Sequence, residues 1–159
     1  MKGKAMMDAL YEAITRNIKE NNSDELLNLL MGTNLYGSVI KEAASLNNTF
    51  IVQSIFSALK IPEDNRAYTD AQIILLNYAL QGYTTARNFA EVKKLVNKGA
   101  NIFHGLNELA TQGALEKNDG KALLDCVEGE THAKLKDQME LVYGFNFDIT
   151  NNSSQGLAF

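Results

Sequence analysis

Few side chains in this sequence could do more than pack: one cysteine, Cys126, and two histidines, His104 and His132. A thiolate beside an imidazole makes a nucleophile and its base. Cys126 with His132 would be that pair here, but no motif surrounds it. Cys126 instead stands in an apolar stripe with Leu123 and Val127, which predicts a small core residue with an inert thiol. Neither histidine belongs to an HExxH pattern or has a cysteine at zinc-ligand spacing, so both are expected as surface or capping residues. Gly99, Gly105, Gly113 and Gly120 fall at helix ends and turns, not in GxGxxG or GxxxxGK[ST], so no phosphate-binding loop is expected. The acidic pairs Asp24-Glu25 and Glu63-Asp64 suit helix starts and solvated turns. Met6 and Met7 are expected to pack within a helix. Lys93, Lys94 and Lys98 read as a solvated helix face, with a docking patch for an acidic partner as the alternative. The expectation is a protein that is not an enzyme, with no catalytic residue, metal or cofactor.

The elements that would hold these side chains read as helical. There is one proline, Pro62, no tryptophan, and little alternation of apolar and polar residues, which predicts an all-α fold. At 159 residues, 45% hydrophobic and 21% charged, the chain fits one globular domain over residues 1–150. The polar residues 151–159 read as a C-terminal tail, disordered in expectation. A net charge of -4 argues against nucleic-acid and anionic-membrane partners. No signal peptide or membrane span is read in the sequence, and one cysteine cannot form an internal disulfide. The expected location is the cytoplasm, or outside it by a route without a classical signal, for example inside a host cell.

Taken in order, Leu10, Ala13, Ile14 and Ile18 predict a helix over 6–19. Asn21 and Asn22 break it, and Ser23 is expected to cap a second helix through Leu26, Leu29 and Leu30. The pattern then returns. Val39, Ile40, Ala43 and Ala44 line one helix, Asn47 and Asn48 break it, and Thr49 is expected to cap the stripe Val52, Ile55, Phe56. A polar connection over 61–68 leads to a long helix capped by Thr69 or Asp70. A fourth unit is expected to break at Asn118, Asp119 and Gly120, with Gly129 ending its second stripe. A last helix over 131–143 places Leu135, Met139 and Val142 on one face, and Phe145, Phe147 and Ile149 are expected to fold back as a lid.

With Asn22, Asn48, Asn88 and Asp119 as anchors, the positions four, seven and eight residues on are apolar in every unit. The anchors are 26, 40 and 31 residues apart (48 − 22, 88 − 48, 119 − 88). Helix pairs repeated in this way bury one another's stripes. The clearest unit is Asn88 to Asn101, NFAEVKKLVNKGAN, with Val92, Leu95 and Val96 on one face and Gly99 as its stop. This stretch resembles the second helix of an ankyrin repeat, and Lys98-Gly99-Ala100-Asn101 resembles its exit turn. The Thr-Pro-Leu-His signature of that family is absent. Asn77-Tyr78-Ala79-Leu80 keeps only its leucine, so the β-hairpin fingers are expected to be shortened or missing.

The resemblance implies about four stacked helix pairs, ankyrin-like or a related α-solenoid, with a C-terminal capping helix. It also implies a non-catalytic module that binds another protein: an adaptor, a regulator or a secreted bacterial effector. In ankyrin proteins the partner meets loop tips and inner helices. By position that implicates Asn34, Tyr36, Arg66, Tyr68, Phe103 and His104. Two alternatives stand beside this: a small helical enzyme or cofactor-binding domain using Cys126 or the histidines, and a self-associating module docking through Phe145 to Ile149. A monomer is expected, with a homodimer left open.

Overall fold

A computed structural model describes residues 2–63 and 67–147. Among them are nine α-helices and no strand: α1 Lys2–Lys19, α2 Ser23–Leu30, α3 Tyr36–Ser45, α4 Thr49–Ala58, α5 Asp70–Thr85, α6 Phe89–Asn97, α7 Ile102–Thr111, α8 Lys117–Leu124 and α9 Gly129–Tyr143. The chain is all-α, as its apolar spacing predicts. Within the sequence pairs, α1 packs on α2, α3 on α4, α5 on α6 and α7 on α8. Helix α5 also lies between α3 and α7, α2 touches α4, and α9 follows on α8.

Small residues set the closest approach. A methyl group on Gly82 of α5 would run into the Lys41 carbonyl oxygen of α3 and sit 2.5 Å from the Ala44 Cβ. One on Gly105 of α7 would stand 2.6 Å from Thr84 Oγ1 of α5. Without those methyls, α3, α5 and α7 meet almost backbone to backbone. Around them one continuous cluster runs from Ile14 and Ile18 through Ile40, Ile55, Leu80 and Leu106 to Leu135 and Met139. Of the apolar positions that follow the four anchors, Leu29 and Val96 are half-buried and the rest are buried. Each fully buried aliphatic side chain contributes about 1.5 to 3 kcal/mol of transfer free energy.

The corner inside each of the first three pairs has one geometry. Asn21, Asn47 and Arg87 take φ of 59°, 59° and 57°, a left-handed conformation in which asparagine is enriched. Their N–H groups donate to Ile18, Ala44 and Thr84, three residues back. The next residues, Asn22, Asn48 and Asn88, donate to Asn17, Ala43 and Tyr83, five residues back. Together these two bonds are the Schellman closure of a helix C-terminus. The second asparagine then opens the next helix. Asn48 Oδ1 accepts from the Ile51 N–H at 3.1 Å and Asn88 Oδ1 from the Glu91 N–H at 3.3 Å. Ser23 and Thr49, expected as caps, are therefore first helical residues, because the asparagine ahead of each already holds the cap position.

The fourth corner departs from the expected break. Asn118, Asp119 and Gly120 lie inside α8. The left-handed residue is Gly113, with φ 67°, and Glu116 opens the helix, its N–H bonded to Asp119 Oδ2 at 3.1 Å. Asp119 is thus a first-turn acceptor and not a breaker. Measured between left-handed residues 21, 47, 87 and 113, the units are 26, 40 and 26 residues apart (47 − 21, 87 − 47, 113 − 87). The long interval holds the connection over 59–69 and the 16-residue α5, which starts at a Thr69–Gln72 capping box.

Three further expectations change. Gly129 opens α9 and does not close α8, so Cys126 and Val127 are buried in a turn after the helix. Val142 is 64% exposed although Leu135 and Met139 on the same helix are fully buried; in that last turn it is Tyr143 that packs on the core. Met6 and Met7 are exposed on α1, which is covered from one side only. Phe145 and Phe147 do turn back onto the core, with ring centroids 5.9 Å apart and Phe147 against the bare Cα of Gly120. Ile149 and residues 151–159 lie outside the described residues.

Candidate functional site

The corners touch one another along one edge of the molecule. Asn48 Nδ2 donates to Asn21 Oδ1 at 2.7 Å and to the Ile18 carbonyl at 2.8 Å. Asn88 Nδ2 donates to Asn47 Oδ1 at 2.7 Å. The opening asparagine of each unit is thus bonded to the left-handed residue of the unit before it. At the fourth unit the polarity reverses. Arg87 occupies the left-handed position and reaches forward, with Nε and Nη2 each 3.3 Å from the Asp119 carboxylate and Nη2 also 3.0 Å from the Ala114 carbonyl. Sequence inspection finds these residues as helix breakers but not as a ladder. The repeated Asn-Asn doublet at 21–22 and 47–48 was the available signal.

The opposite edge carries the connections between pairs, at 31–35, 59–69 and 98–101. Here neighbours meet through Gly37 against the Tyr78 ring and through the Asn101 N–H, which donates to Asn77 Oδ1 at 2.7 Å. The sequence-derived candidates lie on this edge. Asn34 is exposed in its connection. Tyr36 is the first residue of α3 and not a loop tip, and Phe103 and His104 belong to the first turn of α7, because Leu35 and Asn101 take the cap positions. Tyr36, Tyr68 and Phe103 are half-buried and packed on the core. The Tyr68 hydroxyl donates to the Pro62 carbonyl at 2.7 Å. His104 Nδ1 is 3.4 Å from Gln81 Nε2, which ties α7 to α5. Arg66 lies outside the described residues.

Cys126 is 5% exposed, and its Sγ donates to the Ala122 carbonyl at 3.3 Å and approaches the Phe89 carbonyl at 3.6 Å. Burial, with Asp125 adding to it and Lys93 opposing, pushes the thiol up to about 11. A thiol that stays protonated at neutral pH is a poor nucleophile. Among the described residues no three His, Cys, Asp or Glu side chains gather to hold a metal ion, and no helix is long and apolar enough to cross a membrane.

A cleft of about 420 Å³ that the sequence did not announce opens between α4 and α6. Those two helices make little contact, although α3 and α5 beneath them are packed closely. Val52 and Phe56 line one side and Leu95 the other, with Tyr83 of α5 between. Tyr83 is 1% exposed, and its hydroxyl has no hydrogen-bond partner among the described residues. Such an orphan is costly, about 1 to 3 kcal/mol. Burial first, and then the Glu91 carboxylate, push the phenol above its ordinary range, so it stays protonated. At the corresponding point of the second unit the chain has Ala43; a phenol in place of a methyl was the visible hint.

Comparison of the chain with family models, with curated proteins and with solved structures finds no match to any of the three.

Proposed function

We propose that this chain is a non-catalytic, ankyrin-like helical-repeat module that recognises another protein through its connection edge. The observation that carries the reading is the contrast between the two edges. One edge repeats a single corner and bonds each corner to its neighbour. The other changes its connection length and side chains from unit to unit. A rigid frame presenting variable loops is how repeat scaffolds build recognition surfaces. Tyr36, Tyr68 and Phe103 offer partly exposed aromatic surface on that edge, of the kind enriched at binding hot spots, and Asn34 and His104 add polar contacts. Arg66 belongs to the proposed set by its place in the 59–69 connection.

The module acts as a monomer in this reading, and its partner contributes whatever chemistry follows. The test is affinity capture with the intact chain and with the double variant Asn34→Ala, His104→Ala. Both substitutions leave the aromatic packing alone, and His104→Ala gives up the part-buried contact to Gln81, so the melting temperature should fall by no more than about 4 °C. Loss of a partner that the parent chain captures supports the reading. An identical capture profile removes this edge as the recognition surface.

A further inference from the structure

We propose that the ion pair between Lys41 and Glu108 is a strap across α5 that fixes the spacing of two recognition residues on the connection edge, Tyr36 on α3 and Phe103 on α7. The inference rests on the recognition reading of that edge and adds how its residues are held apart at one distance.

A stack of helix pairs is tied together by contacts between neighbours. Lys41 and Glu108 are not on neighbours. Lys41 belongs to α3 of the second pair and Glu108 to α7 of the fourth, with α5 of the third pair between them. Their Nζ and Oε1 atoms are nevertheless 2.8 Å apart. In a flat layer α3 and α7 would stand two helix spacings apart, about 16 to 20 Å. Gly82 shortens the first step and Gly105 the second, because at each the next helix occupies the space of the missing methyl. Lys41 itself supplies the carbonyl that lies against Gly82, so the close approach and the strap start from one residue.

The glutamate is held by both oxygens. Oε1 meets Lys41, while Oε2 accepts from Gln112 Nε2 at 2.9 Å, and the same amide donates to Thr85 Oγ1 of α5 at 3.0 Å. The strap is thus anchored on the helix that it crosses. A fully exposed pair would fix little. Here the Lys41 and Glu108 side chains are 36% and 17% exposed, so water and salt screen the contact only in part.

Placement gives the strap its use. Lys41 lies five residues beyond Tyr36 and Glu108 five beyond Phe103, about 7.5 Å along each helix. Without the strap, the distance from Tyr36 to Phe103 would depend on two interfaces, each free to shift. With it, the two aromatic residues are presented at one spacing, which spares a partner the cost of ordering them.

The test uses the full chain with Cys126→Ser and two spin labels, on Ser38→Cys of α3 and Asn107→Cys of α7, both exposed positions. Pulsed electron double resonance reads the distance between α3 and α7 with no partner present, so its result is independent of the capture test. The parent should give one narrow distribution. Lys41→Met keeps the aliphatic stem and removes the charge. Its distribution should broaden and lengthen by about 2 to 4 Å, a helix shift of about 1 to 2 Å at each of the two interfaces. The exchange of Lys41→Glu with Glu108→Lys should bring the parent distribution back. Labels on Ser38→Cys and Ala71→Cys read the spacing of α3 and α5, which Gly82 sets, and should give the same distribution in every variant. An unchanged distance from α3 to α7 in Lys41→Met, or no recovery in the exchanged pair, would overturn the proposal. Equal broadening at both label pairs would overturn it too, since that is a general loosening and not the release of a strap.

Discussion

The corner edge and the connection edge of this molecule are built from the same helices and differ in what joins neighbours. At the corners, side-chain amides bridge consecutive units at 2.7 Å; the backbone closure beneath them is shared with the other edge, since it also ends α4 at Lys60-Ile61 and α6 at Gly99-Ala100. At the connections, each contact is different: a bare Cα against the Tyr78 ring, a backbone N–H onto Asn77, a tyrosine hydroxyl onto a proline carbonyl. A repeated bond fixes spacing, because every unit must meet the next at the same offset. Unrepeated contacts leave the lengths of 31–35, 59–69 and 98–101 free to differ. The lesson is that side-chain bonds can fix the spacing of neighbouring helix pairs along one edge while the other edge varies; the proposed function assigns recognition to that variable edge.

Changes at four places would break or sharpen that contrast. The largest loss is expected from Gly82→Ala, near the corner end of α5. The added methyl meets the α3 backbone, which cannot move without pulling the ladder apart. Overpacking should outweigh the gain of about 1 kcal/mol in helix propensity, for a net loss of about 2 to 3 kcal/mol in urea denaturation. Arg87→Gly keeps the left-handed backbone at no strain but strips Asp119, which is 11% exposed at its side chain, of its guanidinium. Since Arg87 itself is 39% exposed, solvent screening limits the loss to about 1 to 2 kcal/mol. Asn47→Gly removes one ladder acceptor and eases the backbone, so it should cost about 0.5 to 1 kcal/mol. Asn47→Ala should cost about 1 kcal/mol more than that, through its left-handed strain. Equal losses for the two would mean that φ at this corner is unimportant. On the connection edge, a Gly-Ser insertion after Asn34 should cost no more than about 0.5 to 1 kcal/mol. A larger loss would show that this edge is as constrained as the other.

Much of the helical frame was legible in the sequence. The stripes at Leu26 and Leu30, at Val52, Ile55 and Phe56, and at Val92 and Leu95 have helical spacing and are buried, because apolar periodicity reports the buried face directly. The breaks at Asn21-Asn22 and Asn47-Asn48 were legible for the same local reason. What those asparagines bond to was not, since Asn21 and Asn48 are distant in sequence and only packing brings them together. The fourth corner was misplaced because Asn118, Asp119 and Gly120 have turn-forming composition, yet Glu116 ahead of them captures Asp119 as a cap partner. Tyr36 was read as a loop residue because Leu35 ahead of it gives no cap signal, and Phe103 because Asn101, which caps α7, was taken as the end of the Lys98-Gly99-Ala100-Asn101 exit and not as the start of a helix. The Tyr83 cleft was hidden because a tyrosine on an apolar helix face looks like core. Its unpaired hydroxyl is a fact of three dimensions.

The claim beneath the proposed function is that the ladder amides hold the units together, and Asn48→Asp tests it most directly. Aspartate caps a helix as well as asparagine does, so the bond to the Ile51 N–H survives. The Nδ2 donor to Ile18 and Asn21 is lost, and a carboxylate faces two oxygens. Asn101→Asp is the control, because Asn101 is exposed and its side chain caps α7 through Oδ1, which accepts from the Phe103 N–H at 3.0 Å, an acceptor that aspartate keeps. Urea denaturation at pH 7 should show a loss of about 2 kcal/mol for Asn48→Asp and a change within about 0.5 kcal/mol for Asn101→Asp. Equal stability of the two variants would contradict the account.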